Sequence, residues 1–215
     1  DEIVQSYGSD VLRMYILFMG PPELDCEWQD TGLEGIKRFL NRLWTHLSNE
    51  EHILISGQED LQTTKRVHKL IKEFQERVDR FKPNTAISAF MEFTNDAIAQ
   101  QLKFSKASIE SIAVLLSTMA PHMASELLEV LLNKKIQECN WPEFDAQLTV
   151  DETLTLSVQV NAKLRATIDV PIAASQQEVE QSARGAVTKW LEDKEIKRVI
   201  YVPGRTVNFI VIDQA

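Results

Sequence analysis

Lys163, Arg165 and Arg205 are the side chains whose types and spacing most invite chemistry in this sequence. Each lies in or beside a turn between β-prone runs. Over residues 156–170, LSVQVNAKLRATIDV, Val158 and Val160 alternate with Ser157 and Gln159 before Asn161-Ala162. After that turn Leu164, Ala166, Ile168 and Val170 alternate with Lys163, Arg165, Thr167 and Asp169. Period-two alternation predicts an apolar face and sets Lys163 and Arg165 side by side on the opposite one. A second pair of runs, KRVIYVPGRTVNFIVI at 197–212, turns at Pro203-Gly204-Arg205, where Pro presets φ and Gly tolerates φ > 0. Cations at hairpin ends, without flanking acids, suit phosphate oxygens. Hairpin ends of one small domain can lie close together, so Lys163, Arg165 and Arg205 are expected to form one phosphate-contacting cluster with Asn161 beside it. The plain alternative is that Lys163 and Arg165 keep an exposed strand soluble.

Other chemistries find little support. Paired carboxylates such as Glu126 and Glu129 fall on a helical pattern that implies no pocket. His122 has no second histidine at ligand spacing, which points to a structural role, and no metal site is expected. Cys26 and Cys139 are far apart and outside any CxxC or Cys/His cluster, which fits a reducing compartment. No G-x-G-x-x-G, P-loop or G-x-S-x-G occurs, so no phosphate cradle or nucleophile elbow is available. No catalytic residue is assigned.

The elements that must position these groups fall into two differently patterned halves. Short helices are expected at 1–8 and 10–19, separated by Gly8 at a C′ position, with Arg13 and Asp10 as a candidate brace and Gly20-Pro21-Pro22 as the stop. Residues 32–47 put Ile36, Phe39, Leu40, Leu43, Trp44 and Leu47 on one face, leaving Arg38 and Arg42 four apart beside Lys37. Those two arginines form a basic edge that, read plainly, is a solvated helix face. Trp28 and Trp44 are read as core anchors. Residues 61–81 are amphipathic, with Val67, Leu70, Ile71, Phe74, Val78 and Phe81 inward. Lys82-Pro83-Asn84 reads as a turn before a helix at 85–102, and helices at 105–120 and 122–132 divide at Pro121. Residues 133–151 lose periodicity; Trp141 and Phe144 are expected to pin this linker to the bundle. Beyond it, Ser175-Gln-Gln-Glu178 is a capping box opening a helix to about Leu191. The fold class is therefore α+β: an α-helical bundle followed by a small β-β-α-β-β domain.

Length and charge bound the rest. The 215 residues suffice for one or two ordinary cores, and the opening at Asp1 inside a helical pattern suggests a piece of a longer protein. No apolar run reaches a membrane span and no leader is recognisable. The net charge of −9 argues at first against nucleic acid, but residues 154–215 hold eight Lys/Arg against seven Asp/Glu. Local placement matters more than the total.

The motifs V-N-A-K-x-R at 160–165 and V-P-G-R-T-V-N at 202–208 resemble the C-terminal domain of the bacterial leucyl-tRNA synthetase family, which usually reads V-N-G-K-x-R at the first. Here Ala162 replaces the usual Gly. The runs around Tyr7-Gly8-Ser9-Asp10, Arg38-Phe39-Leu40 and Ala120-Pro121-His122 are similar to the same class I family, so the resemblance covers essentially the whole chain. It implies three regions: 1–30 as the end of the stem-contact region, 31–150 as an anticodon-binding-type bundle and 151–215 as a tRNA-binding α+β domain. It further implies a parent that joins leucine to tRNA-Leu with ATP and Mg in a part outside this chain, in the cytoplasm and as a monomer without a membrane. Lys163, Arg165, Arg205, Asn161, Arg38 and Arg42 are the implied tRNA contacts, and the rest of the synthetase is the other partner. The competing readings are a non-catalytic helical protein–protein module and the equivalent region of a valyl, isoleucyl or methionyl enzyme.

Overall fold

The structure, a computed structural model, describes residues 1–20, 25–54, 58–150, 153–192 and 194–213. Pro21 and Pro22 of the expected helix stop, and Asp151 at the linker's end, lie outside these residues. The chain divides into two compact units, Asp1–Thr149 and Val150–Ala215.

The first unit is helical. Short helices α1 (Glu2–Tyr7) and α2 (Ser9–Phe18) meet at Gly8, whose φ of 89° an L side chain would resist. Helix α3 (Asp30–Ser48) starts two residues earlier than its apolar pattern suggests. Gly32 is required there because a Cβ would come within 2.3 Å of the Tyr15 ring. A two-residue strand β1 (Ile53–Leu54) follows, then α4 (Leu61–Asp79), capped by the Asp60 carboxylate accepting from the Thr63 amide and hydroxyl. Helix α5 (Pro83–Ala99) begins on Pro83 itself, so the expected turn at Lys82-Pro83-Asn84 is the helix start; Pro at N1 lacks only an N–H that would have been unpaired. Strand β2 (Phe104–Ser105) pairs in parallel with β1 and leads into α6 (Lys106–Ser117) and α7 (Pro121–Leu127), which continues through Leu128–Leu132 as a wider π turn.

The core gathers Leu33, Ile36, Leu43 and Leu47 from α3, Leu70, Ile71 and Phe74 from α4, Ile87 and Phe90 from α5, and Ile109 and Ile112 from α6. Phe74 and Phe90 meet edge to face at 5.4 Å. Three expected core residues are outside it. Val78 and Phe81, at the last turn of α4 and in the short loop that leads to α5, are 39% and 70% exposed. Trp28 is 44% exposed; its indole N–H donates to Asp30 while its ring edges onto Tyr15. Trp44 does pack against the core. In the linker Phe144 packs and Pro142 is buried, whereas Trp141 stays 44% exposed. The Asp145 amide donates to His68 and Lys72 Nζ to the Thr149 hydroxyl, holding the end of this segment on α4.

His46 is buried in this unit, with Nε2 3.2 Å from the Leu102 carbonyl and its ring 4.1 Å from His52. Burial first, and His52 second, push its pKa below the ordinary 6.5, against the Leu102 carbonyl, which favours the protonated ring. The unfolded chain therefore binds the proton more readily. The stability tied to His46 is complete above the unfolded value and drains away as pH falls below it. Urea midpoints measured between about pH 7.5 and 5.5 should decline on the acid side. His46→Gln should flatten that decline; an unchanged profile in the variant would show that another group titrates.

The second unit is a four-stranded sheet with helices on one face. Strands β3 (Thr153–Val160), β4 (Lys163–Pro171), β5 (Lys194–Val202) and β6 (Thr206–Asp213) lie in the order β4-β3-β6-β5, with β3 and β6 parallel at the centre. Helix α8 (Gln176–Ala186) opens with the expected capping box: the Ser175 hydroxyl accepts from the Glu178 amide, and the Glu178 carboxylate accepts from the Ser175 amide. The pattern breaks at Val187 before a last turn, α9 (Thr188–Leu191). Val179, Ala183 and Val187 cover Leu156, Val158, Val207 and Phe209. The whole chain is α+β, helical unit first and small sheet unit second.

Candidate nucleic-acid interface

The first hairpin turns through Asn161 and Ala162 at φ 49° and 63°, the left-handed pair that a two-residue type I′ connection demands. That turn pairs Val160 with Lys163. Continued without interruption, the register would place Lys163, Arg165 and Thr167 against the core and turn Ala166, Ile168 and Val170 outward. The two alternations are out of phase by one residue. A bulge resolves the conflict: Gln159 pairs with Leu164 and Val158 with Ala166, leaving Arg165 as the extra residue.

The expected arrangement therefore needs correcting. Lys163 and Arg165 still share a face, but it is the helix-bearing one, since Lys163 opposes the buried Val160. The Arg165 guanidinium carbon lies 5.8 Å from the Trp190 ring centroid, a cation–π contact that braces the head group against the end of the domain. Leu164, expected in the core, is turned to the other face and is 63% exposed.

Asn161 does a different job from the one its position suggests. Its side-chain amide donates to the Val211 carbonyl at 3.1 Å and accepts from the Val211 N–H at 3.0 Å, prolonging the β3–β6 ladder past the end of β3. Its own N–H donates to the Phe209 carbonyl, and the Ala162 N–H donates to the Asn208 side chain at 3.1 Å. The two asparagines clasp the turn to β6. Sequence reading missed Asn208; its signal was the V-N that closes the second motif, where a short amide reaches a neighbouring backbone. Replacing Ala162 by Gly should stabilise the small unit by about 0.5–1 kcal/mol, because Ala pays a left-handed penalty that Gly does not. Thermal melts of the two proteins test this; an equal or lower midpoint for Ala162→Gly would refute it.

The second hairpin is a type II turn. The Arg205 N–H donates to the Val202 carbonyl, Pro203 occupies i+1 and Gly204 has φ 76°. The Arg205 carbonyl accepts from both the N–H and the hydroxyl of Ser157, fixing its backbone beside β3 while its side chain is exposed. The ladder Ser157↔Thr206 to Val160↔Phe209 sets the spacing of the cations. Arg205 lies level with the middle of β3 and Lys163 with its end, two strands across, so their backbones are roughly 12–16 Å apart. The three cations make a strip broader than a single phosphate contact. Among the described residues none of the three takes part in an ion pair.

On the helical unit Arg38 and Arg42 are exposed on α3, opposite its buried stripe. Lys37 beside them stands 5.1 Å over the Tyr7 ring. It opens onto a groove of about 480 Å³ lined by Tyr7, Lys37, Asn41, Trp44 and His122. Asp10, at the groove's edge, accepts from Arg13 at 2.8 Å and from the Met123 N–H at 2.9 Å, with His122 Nδ1 also at 2.9 Å. The candidate brace is thus an anchor tying α2 to the start of α7. Among the described residues no three His, Cys, Asp or Glu side chains converge to hold a metal ion, and no described helix is long and apolar enough to cross a membrane.

The chain thus joins a helical bundle to a small sheet unit whose hairpins carry exposed cations. Residues 60–181 match the family described as the anticodon-binding domain of tRNA ligase, and the chain belongs to that family. More particularly, its full length aligns with leucine–tRNA ligases. It is 38% identical to that of Fervidobacterium nodosum over 98% of the chain, 39% identical to that of Chlorobaculum tepidum over 100%, and 34% identical to that of Thermotoga maritima over 98%. The chain spans only 27–28% of the length of these relatives. Among solved structures, a chain of the Agrobacterium radiobacter K84 agnB2 LeuRS–tRNA–LeuAMS ternary complex superposes with a TM-score of 0.59 at 24% identity, covering 98% of this chain and 30% of that one. That likeness speaks for the fold.

Proposed function

We propose that this chain is the tRNA-binding portion of a leucine–tRNA ligase, holding tRNA-Leu while another part of the parent joins leucine to it. The observation that carries the reading is the alignment along nearly the whole chain with leucine–tRNA ligases, together with Lys163, Arg165 and Arg205 exposed on rigid hairpins without described acidic partners. A structured RNA offers phosphates, 2′-hydroxyls and a few splayed bases, so sparse cations on a shaped surface suffice despite the net charge of −9. Arg38 and Arg42 are the corresponding candidates on the helical unit. Asn161 serves the site by holding the hairpin rather than by touching RNA. Residues 1–30 close the stem-contact region, 31–150 form the anticodon-binding-type bundle and 151–215 the tRNA-binding domain. ATP and Mg act elsewhere in the parent, a cytoplasmic monomer in this reading, and no step of that chemistry is assigned to residues of this chain.

Filter binding of tRNA-Leu and of an unrelated tRNA tests the proposal directly. The chain should retain tRNA-Leu with a steep salt dependence and show no leucine-dependent pyrophosphate exchange. Failure to retain any tRNA at moderate salt would return the chain to a protein–protein role, and exchange above background would overturn the division of labour.

A further inference from the structure

Helix α4 ends in a Schellman motif: the Lys82 N–H donates to the Arg77 carbonyl and the Phe81 N–H to the Val78 carbonyl, both at 2.8 Å. Phe81 occupies the C′ position at φ 54°. That position favours Gly or Asn, since a bulky side chain there is strained. The strain gains no burial, because Phe81 is 70% exposed. Nor is the surrounding loop loosely held. Arg77 clamps the two helices, donating to the Thr85 carbonyl and to the Glu73 carboxylate, and the Thr85 hydroxyl donates to the Lys82 carbonyl. Stability alone would not choose this residue.

Arg80 and Lys82 flank Phe81 in the chain; both are exposed, and neither side chain has a hydrogen-bond or ion-pair partner among the described residues. Asp79 precedes them, leaving the tip of the helical hairpin with one surplus positive charge. An exposed aromatic face between two unpaired cations suits a nucleobase stacked on the ring with its phosphates held on either side. Strained, rigidly supported residues of this kind are found where a ligand is met. We infer that Phe81, with Arg80 and Lys82, is a stacking site for an unpaired base of RNA on the helical unit, distinct from the cations of the sheet unit. The inference rests on the tRNA-binding reading.

Three variants of the chain test it with a tRNA-Leu transcript as probe. Phe81→Asn suits the left-handed conformation but cannot stack. It should melt higher than the parent sequence and bind about 5- to 150-fold more weakly, with its salt slope unchanged because stacking releases no counterions. Phe81→Trp should keep or improve affinity. Arg80→Ala with Lys82→Ala should flatten the slope by about 0.7 for each phosphate no longer neutralised. A folded Phe81→Asn protein with undiminished affinity overturns the stacking site while leaving the broader reading intact. Sedimentation showing self-association that Phe81→Asn abolishes assigns the ring to a protein contact instead. If the unaltered chain binds no tRNA, both readings fall.

Discussion

Lys163→Ala, Arg165→Ala and Arg205→Ala, combined in one protein, should lower affinity for tRNA-Leu on the order of 100-fold at ~0.1 M salt while leaving both units folded. Counterion release sets that magnitude: each phosphate contact contributes about 0.7–0.9 to the logarithmic salt slope, so three contacts are worth roughly 100-fold at one decade of salt below 1 M. The slope itself should flatten by about 2–2.7. All three side chains are exposed, and exposed substitutions usually cost roughly 0.5 kcal/mol or less. Arg165→Ala also removes the contact over Trp190, worth about 0.5–1 kcal/mol at an exposed site, so circular dichroism should accompany the titrations. Leucine activation by the parent should not change. A folded triple variant with the original affinity and slope would mean that these cations only keep the sheet soluble.

The strip's position shows where sequence reasoning stopped. Both hairpins, the capping box at Ser175 and the helical stripes were legible because each rests on local periodicity or a local turn rule. The face carrying Lys163 and Arg165 was not read correctly, yet the information was present. A two-residue turn after Val160 forces Lys163 onto the side of Val160, whereas Ala166, Ile168 and Val170 must face the core. Only an inserted residue reconciles the two, and Arg165 is that residue. Alternation read strand by strand hides the conflict; alternation read through the turn reveals it.

Other misses have a different origin. Val78 and Phe81 continue the apolar period of α4, but they fall at its last turn and just beyond its end, where the chain turns into α5 and both stay exposed. Pro142, between two aromatics expected to pin the linker, is buried where Trp141 is not, a choice made by tertiary packing. Asn161 stands out in the sequence, but its side chain bonds a backbone some fifty residues away, and no local rule names that partner.

That clasp supports the second large effect expected. Asn161→Ala removes both bonds to Val211, leaving a part-buried N–H and carbonyl that β3 no longer reaches. Each orphaned group costs about 1–3 kcal/mol when water cannot fully replace its partner. Ala at φ 49° adds about 1 kcal/mol more. Partial solvent access discounts the sum to about 2–4 kcal/mol, a large share of what a unit of this size possesses, at roughly 0.05–0.15 kcal/mol per residue. Asn208→Ala, which frees only the Ala162 N–H, should cost about 1 kcal/mol. Because Asn161 and Asn208 hold the same turn, the double variant should cost less than the sum of the two. Chemical denaturation followed by tryptophan fluorescence in a background where Trp28, Trp44 and Trp141 are replaced by Phe, leaving Trp190 as the reporter of the sheet unit, measures each effect. Asn161→Asp separates the two bonds, since a carboxylate still accepts from the Val211 N–H but cannot donate to its carbonyl. It should lose part of the stability that Asn161→Ala loses, and tRNA binding should weaken with it, as Lys163 and Arg165 are released from their register. Full stability in Asn161→Ala would show that the turn is held by its backbone alone.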